Sequence, residues 1–238
     1  MKLKTIFKKI LEYLNIGVYW ISNNPDGVPL YKIPDPFEHI DPLIHNAKEN
    51  ADKNACKETL LKEYLVEDRM QFYRDVISFC LENGINFNDK DILDAGCNAN
   101  CLLEIISKRF NPKSLTGYDY SVETLEIAKS ISPASQYEVF DLVHDQPKDQ
   151  FDIIFCTQVI EHIPDAELAI VKLVELANPG GHILITVPNG RLDQFRGHIH
   201  FWSPESFKIF VTKTLVKADG NFTFSDNNIG NSVLIKLK

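Results

Sequence analysis

The stretch that decides the fold is Asp91-Ile92-Leu93-Asp94-Ala95-Gly96-Cys97-Asn98-Ala99-Asn100. It reads as a buried strand that ends in a sharp turn of small residues and runs into a helix. In open α/β sheets, ligands bind just beyond the carboxyl ends of strands. Further on, a second strand, Ser114-Leu115-Thr116-Gly117-Tyr118, ends in Asp119. A glycine-containing first turn lets a ligand approach the backbone. A carboxylate ending the next strand accepts hydrogen bonds from two vicinal hydroxyls. Together they point to a ribose-bearing cofactor.

Outward from this unit, the pattern alternates. Strands are expected at 91–95, 114–118, 136–140, 151–156 and 181–187, with helices at 100–110, 121–131 and 165–177 between them. Such alternation means a mostly parallel sheet covered on both faces. A helix follows Pro204 to about Val216. Asn221–Phe224 and Ser232–Leu237 then form two strands joined by residues 225–231. That connection is too short for a crossover helix, so the pair is antiparallel. Upstream, residues 44–83 read as helical, with Leu60, Leu61, Tyr64, Leu65, Phe72, Val76, Ile77 and Phe79 as apolar contacts. Residues 15–43 read as irregular, because Pro25, Pro29, Pro34, Pro36 and Pro42 interrupt any helix and Asn23–Gly27 is turn chemistry.

The 238 residues allow one α/β domain with an appendage, or two small domains. A net charge of −8 repels phosphate backbones and argues against a nucleic-acid partner. The five cysteines are odd in number and scattered, and no His or Cys pair joins Cys97 and Cys101 at zinc-site spacing. Reduced thiols in the cytoplasm are the expectation. No apolar run approaches the roughly 18–20 residues that span a bilayer. In residues 1–14, Leu3, Ile6, Phe7, Ile10, Leu11 and Leu14 fall at helical spacing, with Lys2, Lys4, Lys8 and Lys9 elsewhere. This basic amphipathic helix lacks the features of a signal peptide. It packs on its own domain or on a second subunit, the favoured reading, or makes weak peripheral contact with an anionic membrane surface.

These motifs, in this order, resemble the class I S-adenosylmethionine-dependent methyltransferases over roughly Asp89 to Lys238. Ile92–Cys97 is similar to the family's first motif, and Asp119 sits where its ribose-binding acid belongs. Val139-Phe140-Asp141-Leu142 resembles the segment whose Asp contacts the adenine amino group. Phe151–Cys156 resembles the fourth strand, Val159–Asp165 the turn after it, and Asn178–Ile185 the proline-glycine-glycine entry to the fifth. The resemblance implies a Rossmann-like α/β methyltransferase fold: a seven-stranded, mostly parallel sheet with an antiparallel last strand, plus a helical N-terminal extension. It also implies a division into residues 1–86, a helical and Pro-rich lid or substrate platform, and residues 87–238, the cofactor-binding domain.

The implied cofactor is S-adenosyl-L-methionine, with S-adenosyl-L-homocysteine as product. The implied cofactor-binding residues are Asp94, Gly96, Asn98, Asp119, Tyr120, Asp141, Leu142, Thr157 and Gln158. One departure matters: Asn98 and Asn100 stand where the family usually has glycines. Asn tolerates positive φ, so the turn still forms. The Asn98 side chain then either bonds the methionine end of the cofactor or weakens its binding. Retained binding is favoured, because Asp94, Asp119 and Asp141 are all present.

Glu161-His162, just past the fourth strand, is the sharpest catalytic candidate. A His near the transferring methyl takes a proton from a substrate hydroxyl, although this pair also begins a helix in related enzymes whatever their substrate. In His198-Ile199-His200-Phe201-Trp202-Ser203-Pro204, the spacing puts both histidines on one side of an extended segment. Ser203 caps the next helix, with Pro204 at its first position. His162 and His200 are the expected catalytic residues. Ubiquinone-pathway O-methyltransferases and small-RNA end methyltransferases hold a divalent metal with Glu-x-x-Glu-His and a distant His. Here Gln158 replaces the first acid, and losing an anionic ligand lowers affinity for a hard cation. A metal on Gln158, Glu161, His162 and His198 or His200 is therefore the less favoured reading, and none is expected.

The implied activity is small-molecule O-methylation. The His198–Glu205 segment resembles methyltransferases of surface-polysaccharide assembly, which implies a sugar or glycan precursor as acceptor, with a quinone or phenolic metabolite as the close alternative. An inactive methyltransferase-like scaffold or partner subunit is the competing reading, motivated by Asn98 and Asn100.

Overall fold

The computed structural model describes residues 20–23, 29–32, 41–47, 50, 66–216 and 218–238. The chain divides into two compact units, Met1–His39 and Ile40–Lys238. In the first, β1 (Trp20–Asn23) and β2 (Pro29–Lys32) pair antiparallel, Trp20 opposite Lys32 and Asn23 opposite Pro29. The expectation of irregular chain over 15–43 is corrected here. Pro29 opens its strand, a position where the missing N–H is tolerated. The helix expected over residues 1–14, and the contacts expected of Leu60, Leu61, Tyr64 and Leu65, lie outside the described residues.

The second unit contains α1 (Pro42–His45), α2 (Glu67–Glu82), β3 (Asp91–Ala95), α3 (Cys101–Arg109), β4 (Ser114–Asp119) and α4 (Val122–Ile131). There follow β5 (Gln136–Val139), β6 (Phe151–Thr157), a 3-10 turn at Ile160–His162, α5 (Ala166–Glu175) and β7 (Ala177–Val187). The last elements are α6 (Pro204–Thr214), β8 (Gly220–Asn227) and β9 (Gly230–Leu237). Seven strands form one sheet in the order β5-β4-β3-β6-β7-β9-β8. The pairs from β5 across to β7 are parallel, while β9 runs against both β7 and β8. The expected sheet, with its antiparallel last strand, is the one observed.

Successive side chains of a strand point to opposite faces, and the core divides accordingly. Leu93, Ala95, Ile154, Ile183 and Ile185 face a layer that includes Ile170 and Leu173 of α5 and Phe207 and Val211 of α6. Ile92, Ile153, Phe155 and Leu184 face Val76 and Ile77 of α2 and Leu102, Leu103 and Ile106 of α3. A strand covered on both faces reads as a continuous apolar run, which is why β3 and β6 are plain in the sequence. Ser203 caps α6 by accepting from the Ser206 N–H at 3.2 Å, with Pro204 in the first turn as expected.

Three boundaries differ from expectation: within the helical reading of 44–83, Asn46, Ala47 and Val66 are turn or bend, and α2 begins only at Glu67. β7 begins at Ala177 rather than 181, and the register with β6 jumps from Phe151↔Ala177 to Ile153↔His182. The Asn178–Gly181 run is thus a bulge inside the strand, with Gly180 at φ +76°. The closing hairpin pairs as far as Asn227↔Gly230, so the expected loop over 225–231 is a turn of Asn228 and Ile229. No helix among the described residues is long and apolar enough to cross a membrane.

Candidate active site

The sheet order reverses between β3 and β6, which makes a crevice beyond their carboxyl ends. The turn after β3 is pinned to its neighbour, since the Gly96 and Cys97 N–H groups both donate to the Tyr118 carbonyl, at 2.8 and 2.9 Å. Gly96 has φ +81°, and a Cβ there would stand 2.4 Å from Val159 Cγ2. Asn98 and Asn100 follow at φ 44° and 56°. The Asn98 N–H donates to Asp119 Oδ2 at 3.1 Å, and the Ser121 N–H to Asp119 Oδ1 at 3.0 Å. Asp119 is thereby fixed at the end of β4, with its two oxygens on the backbone of two different turns.

Asp94 is buried, and its Oδ1 has no hydrogen-bond partner among the described residues. Burial first, and then the charge of Asp119, push its carboxyl up to about 7. Asn98 Oδ1 is likewise buried and unpartnered. Asn100 points elsewhere: its Nδ2 donates to the Tyr137 hydroxyl at 2.6 Å. Asp141 closes its own turn, accepting from the Val143 N–H at 2.8 Å and bonding His144 Nδ1 at 3.0 Å. Burial alone would raise its carboxyl, but these bonds outweigh it and hold the group below its ordinary range.

Beyond β6, Gln158 takes φ 57° and donates its amide to Thr186 Oγ1 at 3.2 Å. Glu161 is fully buried, and neither carboxylate oxygen has a partner among the described residues. Burial pushes its carboxyl up to about 8. His162 donates from Nδ1 to Asn46 Oδ1 at 2.9 Å. Burial, with His198 and His45 nearby, brings the His162 imidazole down to about 4, so it is neutral and a weak proton acceptor.

The two histidines of the later segment part company. His198 donates from Nδ1 to Asp193 Oδ2 at 2.5 Å and meets the His162 ring edge-on at 4.6 Å. His200, the expected catalytic base, donates from Nε2 to the Ile163 carbonyl at 2.9 Å and stacks on Trp202. It lines neither cavity described next. Glu161, His162 and His198 each bring a ligand-type atom within 4.8 Å of the others. His200 does not join that group.

A cleft of about 480 Å³ opens here, inside the range of ligand pockets. Gly96, Asn98, Asp119, Tyr120, Asp141, Leu142, Gln158 and His162 of the expected residues line it. So do Asn46, Phe140 and His144, which sequence reasoning did not single out. A second cavity of about 130 Å³ shares Gly96, Asn98, Gln158 and His162 with the first, and adds Asp94, Thr157, Glu161 and His198. Arg69 and Tyr73 of α2 also reach it. An ammonium group suits the unpartnered oxygens of Asp94 and Asn98, and an arginine on the same cavity suits a carboxylate. This end of the site therefore fits an amino acid, and the larger cleft fits a nucleoside.

A family model described as a methyltransferase domain matches residues 65–217. Among curated proteins, a ubiquinone biosynthesis O-methyltransferase of Coxiella burnetii is 30% identical over 114 residues, covering 46% of this chain and 48% of the relative. A tRNA U34 carboxymethyltransferase of Nautilia profundicola is 34% identical over 106 residues, covering 42% of this chain and 35% of the relative. The chain spans about half the length, or less, of the curated relatives it matches. Of solved structures, a plantazolicin methyltransferase in complex with a substrate analogue and S-adenosylhomocysteine superposes with a TM-score of 0.64 at 15% identity, covering 83% of this chain and 96% of that one.

Proposed function

The chain belongs to the methyltransferase domain family, and from that premise we propose that it transfers a methyl group from S-adenosylmethionine to an oxygen of a small-molecule acceptor. One observation carries the reading. A nucleoside-sized cleft, with Asp119 fixed at the end of β4, adjoins a polar cavity in which buried oxygens of Asp94 and Asn98 lack partners. In this reading Asp119 accepts the two ribose hydroxyls, and Tyr120, Phe140 and Leu142 flank the adenine. Asp94 and Asn98 take the ammonium group, and Arg69 takes the carboxylate.

When bound, the sulfonium supplies an electrophilic methyl carbon and a neutral thioether as leaving group. The chain's own part is to align the acceptor oxygen, exclude water and receive a proton. Residues ahead of 87 act as the acceptor-side platform, a role that the presence of Asn46 on the cleft supports. A sugar or glycan precursor is the proposed acceptor, from the likeness of the His198–Glu205 segment to methyltransferases of surface-polysaccharide assembly. A phenolic metabolite is the second reading, favoured by the name of the Coxiella relative. The proposed reaction uses no metal.

The test is calorimetric titration of S-adenosylmethionine and S-adenosylhomocysteine into wild type and Asp119→Ala. Labelled-methyl transfer to nucleotide sugars, catechols and tRNA follows, with and without chelator. Binding to wild type that Asp119→Ala weakens by about 100-fold or more is expected, because the variant loses two charge-assisted contacts. Absence of binding to wild type makes the chain an inactive scaffold. Transfer to tRNA alone overturns the small-molecule acceptor.

A further inference from the structure

We propose that Asn46 is a positioning residue whose one amide fastens α1 beside the larger cleft as a strap that closes when the cofactor is bound, a proposal that rests on the methyl-transfer reading above. The reasoning starts from how little else holds α1. It is a single turn of four residues, Pro42–His45. One turn fixes several backbone angles for very few hydrogen bonds, so it does not persist unaided, and most helices are held by an apolar face packed on a core. Among the described residues nothing buries α1, and Leu43 and Ile44 stay 60% and 61% exposed. Its fastenings are polar. Asp41 Oδ1 caps the turn by accepting from the Leu43 N–H at 2.9 Å, and Asn50 Nδ2 donates to the Ile44 carbonyl at 2.6 Å.

Asn46 links this turn to two distant segments. Its Nδ2 donates to the Pro42 carbonyl and to the Gly197 carbonyl, both at 2.7 Å. With both amide hydrogens committed, Oδ1 faces the third partner and accepts from His162 Nδ1 at 2.9 Å. His45 adds an edge contact with the Phe195 ring, centroids 5.7 Å apart. It lies so close to the loop that a Cβ on Gly197 would stand 2.9 Å from His45 Cδ2. The two receiving segments are joined to each other without Asn46, because the Ile199 and His200 N–H groups both donate to the Glu161 carbonyl, at 2.8 and 3.1 Å. Loss of the amide therefore frees α1 and leaves the turn after β6 attached to the loop before α6.

The place of this turn gives the fastening a use. Asn46 and Ala47 line the larger cleft together with Asp119, Tyr120 and Asp141. In the methyl-transfer reading that volume holds the nucleoside, so a bound cofactor touches the end of α1. A ligand that touches one state of a segment and not the other shifts the segment to that state. A segment held by few contacts, most of them polar and open to water, opens at low free energy. α1 meets both conditions. It opens readily over an empty cleft and closes on a filled one, which slows ligand release and keeps water out.

The experiment uses the full chain with S-adenosylhomocysteine as the probe. Amide hydrogen exchange reads the His45, Asn46 and Ala47 N–H groups, which bond the Asp41, Pro42 and Ile44 carbonyls, and stopped-flow displacement reads ligand release. In wild type without ligand, these three amides should exchange at least about 100-fold faster than those of β3, and saturating ligand should slow them by about tenfold or more. Asn46→Ala should abolish that slowing, leave the β3 amides protected and speed release by about 10–100-fold, the range for two lost hydrogen bonds, with association within about threefold of wild type. Asn46→Asp, which sets a carboxylate against the Gly197 carbonyl, should speed release at least as much. Wild-type amides that exchange alike with and without ligand, or that match β3 while the cleft is empty, overturn the strap. Release from both variants within about twofold of wild type overturns the role of Asn46. Loss of β3 protection in both variants overturns it too, because Asn46 would then support the whole sheet. Failure of wild type to bind the ligand sinks the methyl-transfer reading, and the strap with it.

Discussion

Replacing Glu161 by glutamine should stabilise the protein at alkaline pH and leave it nearly unchanged in mild acid. Glu161 is fully buried with both oxygens unpartnered among the described residues, and burial raises its carboxyl from 4.5 to about 8. The folded chain therefore holds this proton more tightly than the unfolded chain. Its stabilising contribution is fully present below pH 4.5 and is lost as the pH rises towards about 8. The slope is about 1.4 kcal/mol per pH unit, which gives about 5 kcal/mol across the window. Water in the adjoining cavity screens part of that cost, so about 2–5 kcal/mol is expected. Glutamine keeps the shape and removes the ionisation. Near pH 5 the two proteins should differ by less than about 1 kcal/mol, whereas near pH 8.5 the variant should melt roughly 5–15 °C higher. Scanning calorimetry across that range decides the matter. Melting curves that run parallel at every pH would refute the reasoning, and would mean that Glu161 is ionised in the folded protein with its charge met by a cation such as the Arg69 side chain.

Two further outcomes follow from the cofactor end of the site. Asp94, pushed up to about 7 by burial and by Asp119, should release its proton when a ligand ammonium arrives. S-adenosylhomocysteine affinity should then rise with pH up to about 7 and level off, and titrations in buffers of different ionisation enthalpy should count a proton released that Asp94→Asn no longer releases. Gly96→Ala should abolish ligand binding and cost about 1–3 kcal/mol from the positive φ, before the clash with Val159 is added. Adding Val159→Ala should relieve the clash and leave the φ penalty, as chemical denaturation of the two variants can show.

What was legible in the sequence, and what was not, follows the range of the forces involved. The strands β3 and β6 were legible because burial on both faces writes an apolar run at one place in the chain. Asp119 was legible because its position at a strand end is itself local. Arg69 and Tyr73 were not, since helix α2 precedes the first turn by many residues, and only the packing of Val76 and Ile77 under β3 brings it to the cavity. The histidines failed for a different reason. Placing His198 and His200 on one side assumes a two-residue repeat, which holds only where the chain is a strand. Residues 191–203 form turns and irregular chain, so His198 turns to Asp193 while His200 turns to Ile163. Asp193 gave no signal, because an acid in an irregular loop looks like turn chemistry until its partner is known.

The departure at Asn98 and Asn100 has a physical resolution in the same turn. Three residues there take positive φ, but only one of them lacks room for a side chain. At Gly96 a Cβ would strike Val159, so both the conformation and the space demand glycine. At Asn98 the side chain reaches the cavities, and at Asn100 it reaches the Tyr137 hydroxyl. These two positions need only the left-handed conformation, which Asn adopts at modest cost. The backbone N–H of Asn98 still holds Asp119, a bond any residue in that conformation would make. Asparagine at these two positions thus builds the turn without glycine. What asparagine adds at 98 and again at 100 is a buried carbonyl oxygen with no partner among the described residues, and Asn98 shares its cavity with Asp94, whose Oδ1 is also unpartnered. Two buried, unpartnered oxygens on residues of one cavity cost stability until a donor meets them, so under the proposed reading the substitution favours a retained ammonium site over a lost one.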